Sequence, residues 1–468
     1  MPKEEKTKFQ KMEENLTYKR ENAWKLFGKN KHKDIIKFCD EYKDFLKVSK
    51  TERRTGENAR DILIKNGFKD ISKVTSARPG DKIFKEVKSK TIIAFIVGKD
   101  KDSLRIVGSH MDSPRLDLKP FPLSEESGIA TIKTHYYGGI KKYHWVNHPM
   151  ELHGVVYNKD GKKIDVNIGA SDDDPKFIIS DLLPHLSKKQ MEKTPKEVVE
   201  GEELKLIAGN IPVEDENVKN KVKLTLLEKL EKDYGITEED LAFAELEAVP
   251  HTRPMDIGLD KSMIAAYGHD DKVCAYTSLR ALLSSEKPKS TAVVFLADKE
   301  EIGSVGNTGA DSMILNNFAH DYVKITGINT SPATLLEQAK SISADVTAGV
   351  NPNHQDVHDL QNASFIGSGI SVEKYGGSGG KYVSNDTHAE YMSYIRKILA
   401  KENIPWQTGE LGKVDMGGGG TIAMFMSKYG MDCVDAGPCV LGMHSPCEVV
   451  SKADIYAAYM LYRGFFKD

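Results

Sequence analysis

The chain has 468 residues, of which 39% are hydrophobic and 29% charged, and its formal net charge is -3. This balance is typical of a globular protein and lacks the basic excess expected of a nucleic-acid-binding protein. No apolar run approaches the ~20 residues of a membrane span, and the charged N-terminal segment is not a signal peptide. A chain of this length exceeds one compact core, so we expect two domains or one domain with a large insertion.

Cysteine is scarce, and its five positions are scattered along the chain: Cys39, Cys274, Cys433, Cys439 and Cys447. An odd, scattered set fits a reducing compartment better than a disulfide framework, so we expect a cytoplasmic protein. The three C-terminal cysteines lack the Cys-x-x-Cys spacing of a metal site. We therefore interpret them as small buried apolar residues.

The N-terminal part predicts two helices and then two strands. Residues 33–48 place four apolar side chains near one helical stripe, namely Ile36, Cys39, Phe45 and Leu46. A second helix is predicted over 51–66 and ended by Gly67. The apolar runs 91–98 and 103–110 predict strands, and the polar turn between them indicates a hairpin or neighbouring strands.

The middle of the chain differs from its ends. Residues 120–260 are rich in turns and short alternating segments, with a charged helical stretch at 217–233, which indicates an inserted domain. In the C-terminal part, strands alternate with helices, and the run TAVVFLA at 291–297 is typical of a strand buried on both faces. The last helix is predicted to begin at Ser451, with Asp454 completing a capping box. This alternation predicts an α/β sandwich with a mostly parallel or mixed sheet.

Two metal-ligand candidates stand beside apolar elements, where open α/β sheets bind ligands. In RIVGSHMDSP, His110 leaves a strand, and Asp112 is placed to accept its second N–H and orient the ring. The alternative is a strand-end turn with a capping aspartate. Asp270 and Asp271 begin an amphipathic helix, where one aspartate suffices as a cap. Asp270 is then a candidate to bridge two cations through its two oxygens.

A second acidic cluster follows the strand that ends in DKEE. Glu300 and Glu301 repel each other unless a cation or a proton neutralises them. We interpret Glu301 as a metal ligand and Glu300 as the general base that takes a proton from a metal-activated water. The alternative is a solvated charged turn. Asp345 interrupts the segment SISADVTAG and His444 follows an apolar run, and each is a weak signal alone.

Two histidines and three carboxylates together form a donor set suited to two zinc, cobalt or manganese ions: His110, Asp270, Glu301, Asp345 and His444. A bridging Asp270 would leave each ion one histidine and one terminal carboxylate. The Gly-rich run at 375–382 lacks the spacing of a phosphate loop. A second Gly-rich run at 415–423 fits a flexible turn and a backbone approaching a bound peptide equally well.

These motifs carry a resemblance that extends from about residue 50 to the C-terminus. GSHMDSP, the Asp270-Asp271 pair, DKEEIGS, SADVTAGVNPNH, YVSND and GMHSPCE occur in this order. In this ordered set the chain resembles the aspartyl aminopeptidase family of dinuclear zinc exopeptidases, the vacuolar aminopeptidase I type, as a bacterial member. The resemblance implies a metal-dependent aminopeptidase that hydrolyses N-terminal residues from peptides. It implies two metal ions per subunit, with zinc expected and cobalt or manganese as alternatives.

The resemblance also implies an architecture and a set of roles. The five donors would be the metal ligands, Glu300 the base and Asp112 the carboxylate that orients a ligand. The fold would be a three-layer α/β sandwich with a mixed sheet, built from residues 1–117 and 263–468. A β-rich dimerisation domain at 118–262 would interrupt it.

Family members assemble into tetrahedral dodecamers, so the resemblance implies a homo-oligomer. Some of them present a histidine from a neighbouring subunit's insertion to the active site, and His185 in ISDLLPHLS is our candidate for it. Peptides are the expected partners, with neither nucleic acid nor membrane. The segment EKYGGSGGKYVSND departs from that of the aspartyl-specific members. Lys374 or Lys381 could receive an acidic side chain there, and the sequence leaves the preferred N-terminal residue open.

Two other functions remain open from the sequence. One is an amidohydrolase acting on N-acylated amino acids or small peptides, because its metal centre could look the same. The other is a catalytically idle assembly that serves as a binding shell. Activity on free-amine against N-acetylated substrates separates the first from an aminopeptidase, and failure to retain metal would favour the second.

Overall fold

A computed structural model describes residues 6–468 of the chain. Within that range the helices are α1 Lys8–Leu16, α2 Ala23–Phe27, α3 Lys29–Val48, α4 Glu52–Lys65, α5 Lys188–Met191, α6 Lys221–Tyr234, α7 Glu238–Leu241, α8 His269–Leu283, α9 Ile314–Thr326, α10 Pro332–Glu337, α11 Ala389–Lys401, α12 Ala423–Ser427 and α13 Lys452–Lys467. Over the same residues the strands are β1 Lys69–Asp70, β2 Lys82–Val87, β3 Thr91–Ile96, β4 Asp100–His110, β5 Arg115–Glu126, β6 Ile129–Tyr137, β7 Met150–Tyr157, β8 Lys163–Ile168, β9 Lys205–Gly209, β10 Glu245–Pro250, β11 Met255–Ile257, β12 Met263–Ala266, β13 Ser290–Ala297, β14 Lys340–Ser343, β15 Thr347–Ala348, β16 Ile370–Glu373, β17 Gly377–Ser378, β18 Trp406–Thr408, β19 Gly418–Gly419, β20 Asp432–Gly437, β21 Cys439–Leu441 and β22 Glu448–Ser451.

A nine-stranded mixed sheet forms the centre of the part that the structure describes. Its strand order is β1-β2-β3-β13-β4-β14-β20-β16-β18. The four strands β13, β4, β14 and β20 run parallel, whereas β3 and β16 join them antiparallel. The predicted mixed α/β architecture is therefore confirmed.

Helices cover both faces of this sheet because its central strands are apolar on both sides. All eight residues of β13 are buried. Val294 and Leu296 pack with side chains of α3, α4, α8 and α13, whereas Val293 and Phe295 pack with those of α9 and α12. Alternate side chains of one strand thus hold together a three-layer sandwich.

A separate six-stranded sheet is built from residues 115–250. Its order is β8-β7-β10-β5-β6-β9, with neighbouring strands antiparallel. One face holds an apolar core that includes Leu116, Leu152 and Leu206, against which α6 packs. These strands come almost wholly from the segment expected to be inserted. We call residues 118–262 the insert, and its boundaries and dimerising role stay predictions.

The first two predicted helices are present, with small differences. Helix α4 occupies the predicted range, and Thr51 caps it by accepting a hydrogen bond from the Arg54 N–H at 3.3 Å. Helix α3 begins earlier than predicted. Its buried stripe includes Cys39, Phe45 and Leu46, but Ile36 is exposed and the prediction for that residue was wrong.

The predicted neighbourhood of the strands β3 and β4 was wrong. Strand β13 lies between them, antiparallel to β3 and parallel to β4. This arrangement encloses β13, the most continuously apolar of the three, between two paired neighbours. Local sequence cannot reveal this order, since β13 begins about 180 residues after the end of β4.

The last helix begins where predicted, but its capping box is absent. Ser451 is the N-cap of α13 and makes no side-chain cap hydrogen bond. Asp454 instead accepts hydrogen bonds from the N–H groups of Gly367 and Gly369, each at 2.7 Å. Its carboxylate thereby ties the last helix to a distant loop.

Two simpler expectations can be compared with the described residues. None of the helices within residues 6–468 has both the length and the apolar character that crossing a bilayer demands. The five cysteines are all free thiols, and four of them are buried. Cys447 is exposed, so its predicted burial was wrong.

Candidate metal centre

Five side chains from distant parts of the chain meet at one edge of the nine-stranded sheet. His110 is the last residue of β4, and Asp345 follows β14 by two positions. Glu301 lies in the turn after β13. These strands run parallel, so their carboxyl ends share one edge. Asp270 begins α8 and His444 follows β21, and both reach the same place.

The two oxygens of Asp270 face two different histidines. Oδ1 lies 3.2 Å from Nε2 of His110, and Oδ2 lies 3.2 Å from Nε2 of His444. His110 Nε2 is also 3.8 Å from Asp345 Oδ1, whereas His444 Nε2 is 3.3 Å from Glu301 Oε2. These four approaches describe two groups that share Asp270, although Glu301 also lies within 4.8 Å of the His110 and Asp270 donor atoms. Each group has one histidine and one further carboxylate.

Asp271 is a further donor in this cluster. The donor atoms of Asp271, His110 and Asp345 all lie within 4.8 Å of one another. The same holds for the donor atoms of His110, Asp270 and Glu301. One Asp271 oxygen accepts the His110 backbone N–H at 3.3 Å, and the other has no hydrogen-bond partner. Asp270 differs from Asp271 in that each of its two oxygens faces the Nε2 atom of a histidine.

The charges of this cluster are not balanced by protein groups alone. Burial and then the neighbouring Asp270 carboxylate raise the pKa of Glu301 well above its usual range. Burial and then Asp271 do the same to the pKa of Asp345. Glu301 Oε1 is buried without a hydrogen-bond partner. Buried carboxylates in this condition are what a divalent cation would neutralise, and the nitrogen and oxygen donor set fits zinc.

Glu300 is a further carboxylate beside His110, about as close to it as Asp345 is. Its Oε2 lies 3.9 Å from His110 Nε2, and its side chain faces the cleft above the centre. Burial, together with the Asp112 and Asp270 carboxylates, raises the pKa of Glu300 to about 7. A carboxylate with a pKa near neutrality is suited to general-base work.

Asp112 connects the two sides of the centre. Its backbone carbonyl oxygen lies 3.1 Å from His110 Nδ1, and its Oδ1 lies 3.3 Å from the same nitrogen. Asp112 Oδ1 also accepts the Glu300 N–H at 3.2 Å. Its Oδ2 accepts the Glu301 N–H at 3.1 Å and the Tyr137 hydroxyl at 2.8 Å. One fully buried carboxylate thus orients a histidine and fixes the turn that carries both glutamates.

Three comparisons with known proteins identify the family of the chain. Residues 45–466 match the family model described as "Aminopeptidase I zinc metalloprotease (M18)". The chain belongs to the M18 family. It is 46% identical over 458 residues to a probable M18 family aminopeptidase 1 of Borrelia garinii subsp. bavariensis, covering 96% of this chain and 100% of that protein. The corresponding Thermotoga maritima protein is also 46% identical, over 456 residues, with 97% and 100% covered.

Solved structures of M18 proteins have the same fold. The crystal structure of the M18 aminopeptidase from Thermotoga maritima matches with a TM-score of 0.93 at 45% identity, covering 96% of this chain and 100% of that one. Yeast aminopeptidase 1 matches with a TM-score of 0.75 at 21% identity, covering 92% and 97%, which shows the fold alone.

Membership of the M18 family decides the reaction class. The protein is a metal-dependent aminopeptidase, a hydrolase that removes N-terminal residues from peptides. The comparisons do not favour an N-acyl amidohydrolase or an idle binding shell. The predicted family, fold class and enzyme class are therefore confirmed.

His185 is not part of the M18 centre within this chain. It is exposed on a turn of the insert and does not contribute to the walls of the cleft. Its predicted role in a neighbouring subunit stays a prediction.

Sequence reasoning missed three groups that hold the ligands of the centre. Glu448 accepts the backbone N–H groups of His444 at 2.8 Å and of Asp270 at 3.1 Å. The Gly139 carbonyl oxygen lies 2.7 Å from His444 Nδ1, and Tyr137 donates to Asp112. Glu448 ends the quoted motif GMHSPCE, so an acidic residue beginning an apolar strand was a signal. Tyr137 and Gly139 give no such signal, because neither stands beside a candidate ligand in the sequence.

A cleft of about 830 Å³ opens above the centre. Glu300, Asp345 and His444 are among the residues of its floor, and parts of both Gly-rich runs form its walls. Strand β17 from one run pairs antiparallel with β19 from the other. The two runs therefore meet as backbone surfaces beside the metal centre, and neither forms a phosphate loop.

Proposed function

We propose that two zinc ions are held side by side at this centre, with Asp270 bridging them. His110 and Asp345 would complete one site, and His444 and Glu301 the other. The observation that carries the proposal is the pair of 3.2 Å approaches, one from each Asp270 oxygen to a different histidine. Cobalt and manganese are the alternatives to zinc, because this donor set suits all three ions.

When bound, the ions would supply Lewis-acid chemistry, activating water and polarising the scissile carbonyl. The chain's own contribution is proton transfer and orientation. Glu300 would accept the proton of the attacking water and pass it to the leaving amine. Asp112 would hold His110 and the backbone N–H of Glu300 in register, so that base and ligand keep one relative position.

We propose further that acidic N-terminal residues are not the preferred substrates. The Lys381 ammonium, one of the two candidates to receive an acidic side chain, already pairs with Asp386 at 3.1 Å. Lys374, the other, is exposed and lies outside the walls of the cleft. Glu373 and Glu410 line the same cleft, and so do Lys381 and Lys413. Two carboxylates and two ammonium groups leave these walls without an excess of positive charge, which favours uncharged side chains over acidic ones.

The insert at 118–262 is proposed as a dimerisation domain of a homo-oligomer. Apolar side chains around His185 are exposed, with Leu183 at 50%, Leu186 at 69% and Met191 at 74%. Such a patch is typical of a protein interface. A structure of the yeast protein mApe1, 21% identical to this chain with a TM-score of 0.74, is described as a dodecamer. A tetrahedral dodecamer, with His185 reaching a neighbouring cleft, is the assembly we propose.

The proposed location is the cytoplasm. It rests on the five cysteines, which are free although oxidising compartments favour disulfides. Fractionation of the source cells would test it directly.

Metal reconstitution combined with a substrate panel tests the proposed activity. Metal-free protein would receive zinc, cobalt or manganese, with Leu-, Lys- and Asp-p-nitroanilide as substrates and N-acetyl-Leu-p-nitroanilide as the blocked control. We expect about two zinc ions per subunit, cleavage of the free-amine substrates and slower cleavage of Asp-p-nitroanilide. Faster cleavage of the blocked substrate, or no bound metal, would contradict the proposal.

Light scattering of wild type against Leu186→Asp tests the assembly, which the variant should disrupt.

A further inference from the structure

Residues 137–139 bring the insert into contact with the proposed metal centre. Tyr137 is the last residue of β6, a strand of the six-stranded sheet, and two glycines follow it. All five proposed ligands come from outside that sheet. The segment nevertheless touches groups that hold ligands on both sides of Asp270.

On one side the contact is made through Tyr137 and Asp112. The Tyr137 hydroxyl donates to Asp112 Oδ2 at 2.8 Å. Asp112 in turn lies 3.3 Å from His110 Nδ1 and accepts the backbone N–H of Glu301. An extra donor on an orienting carboxylate restricts its rotation and hence the direction of the histidine it holds.

On the other side the contact is made through the Gly139 backbone. The Gly139 carbonyl oxygen lies 2.7 Å from His444 Nδ1. A carbonyl oxygen only accepts, so Nδ1 must carry a proton. In the neutral ring this leaves the lone pair on Nε2, which faces Asp270 and Glu301. The insert thereby selects the tautomer that a metal ligand requires.

Between these two contacts, Gly138 lies against Glu301. It has φ +79°, and a side-chain carbon added there would stand 3.3 Å from Glu301 Oε2 and 3.3 Å from Pro114. The backbone therefore passes close to a ligand carboxylate in a conformation that favours glycine.

The tyrosine ring is itself held in place by a buried charge. The Arg115 guanidinium lies 3.7 Å above the centre of the Tyr137 ring. Arg115 pairs with Glu52 at 3.2 Å and with Glu247 at 3.4 Å, and all three residues are buried. Helix α4 and strand β10 thus fix the ring through one cation.

We propose that the segment Tyr137–Gly139 positions both histidines of the metal centre, so that the insert is a structural part of each metal site. The inference rests on the proposed function, since it requires His110 and His444 to be ligands. Tyr137 is a positioning residue in it, because the hydroxyl acts through Asp112. The insert then has a role inside its own subunit, apart from any part in assembly.

A pair of tyrosine variants tests the first contact. Tyr137→Phe keeps the ring beneath Arg115 and removes the hydroxyl, whereas Tyr136→Phe makes the same change at the partly exposed neighbour. Zinc affinity of the full-length protein would be measured by competition with a chromophoric chelator. A group that hydrogen-bonds a metal ligand directly typically contributes about 10–100-fold in metal affinity, and the Tyr137 hydroxyl acts through such a group. We expect Tyr137→Phe to bind zinc more weakly by up to about tenfold and Tyr136→Phe to match wild type.

A pair of glycine variants tests the segment without the hydroxyl. Gly138→Ala strains a positive φ and pushes a carbon towards Glu301, whereas Gly128→Ala strains a similar φ of +73° with no atom within 4 Å. Both glycines flank β6, so the backbone cost is matched. Of these two glycine variants, we expect only Gly138→Ala to bind zinc more weakly than wild type. Activity of Gly138→Ala and Tyr137→Phe should rise with added zinc, with KM near the wild-type value, which general misfolding would not produce.

The outcomes separate this inference from the function beneath it. The proposed metal centre is contradicted if the wild-type protein binds no zinc. It is also contradicted if the His110→Ala variant binds as much zinc as wild type. Wild-type protein that binds zinc while Tyr137→Phe and Gly138→Ala bind it equally well overturns the positioning role alone. If Tyr137→Phe fails to fold, the glycine pair decides the question.

Discussion

The nine-stranded sheet with its flanking helices, which we call the body, and the insert differ in how far their strands are buried. Strand β13 of the body has all its residues buried, whereas β6 of the insert alternates between buried and accessible positions. A strand enclosed on both faces can place charged side chains only beyond its ends. The ligands follow that rule, because His110, Glu301 and Asp345 lie at or just after strand ends. The strand of the insert that reaches this edge supplies Tyr137, which contacts Asp112 instead.

The comparison suggests a division of labour between the two regions. The body supplies the proposed ligands and the base, and the insert supplies groups that orient them. Changes to the proposed ligands and base should therefore remove metal or turnover outright, and changes to the orienting groups of the insert should have smaller effects. Four experiments follow in order of expected size.

The largest effect is expected at the proposed bridge in the body. Asp270→Asn replaces one of two equivalent oxygens by an amide, so it should lose both zinc ions and all measurable activity. Asp345→Asn and Glu301→Gln should each lose one ion. Zinc per subunit, measured by atomic absorption, decides between them. The exposed Asp173→Asn in the insert is the matched control, and loss of one ion in Asp270→Asn would refute the bridge.

The base should be separable from the ligands. Glu300→Gln should lower kcat by about 10²–10⁴-fold, the usual contribution of a general base, while zinc content stays at the wild-type value. Single-turnover assays on Leu-p-nitroanilide would measure it, with the exposed Glu286→Gln as control. Wild-type turnover in Glu300→Gln would show that another group takes the proton.

Equal leucine deletions compare the two cores directly. Leu296 in β13 and Leu206 in β9 are both fully buried. Leu296→Ala should lower the free energy of unfolding by about 3–5 kcal/mol, because helices on both faces prevent the cavity from collapsing. Leu206→Ala, in an edge strand, should cost about 2–3 kcal/mol. Urea unfolding measures both, with Leu224→Ala at a partly exposed site as control. Equal losses would mean that enclosure does not distinguish the two regions.

The smallest expected effect is a pH dependence in the body. Burial raises the pKa of Asp454 to about 7, although two backbone N–H groups oppose the shift. A carboxyl group whose folded pKa exceeds its unfolded value stabilises the fold at low pH and loses that contribution as pH rises to about 7. The free energy of unfolding of wild type minus that of Asp454→Asn should therefore fall as the pH rises from about 4 to about 7. A pH-independent difference would show that Asp454 titrates normally.

The sequence by itself determined the local elements and the donor inventory. Helix α4 follows from its period and its cap, strand β13 from its apolar run, and helix α13 from its period, and these signals act over a few residues. The five proposed ligands and Glu300 were also readable, because each stands at the end of such an element. Parallel strands then bring those ends to one edge, whatever the details of packing.

Only the tertiary structure decided which elements are neighbours and which groups hold the ligands. Strand β13 separates β3 from β4, and Asp454 binds a loop 85 residues away instead of capping its own helix. Tyr137 reaches Asp112 from a different sheet. Hydrogen bonds depend on distance in space, and packing between remote segments leaves no periodic mark on either one. The proposed ligands could therefore be picked out from the chain, and their orientation could not.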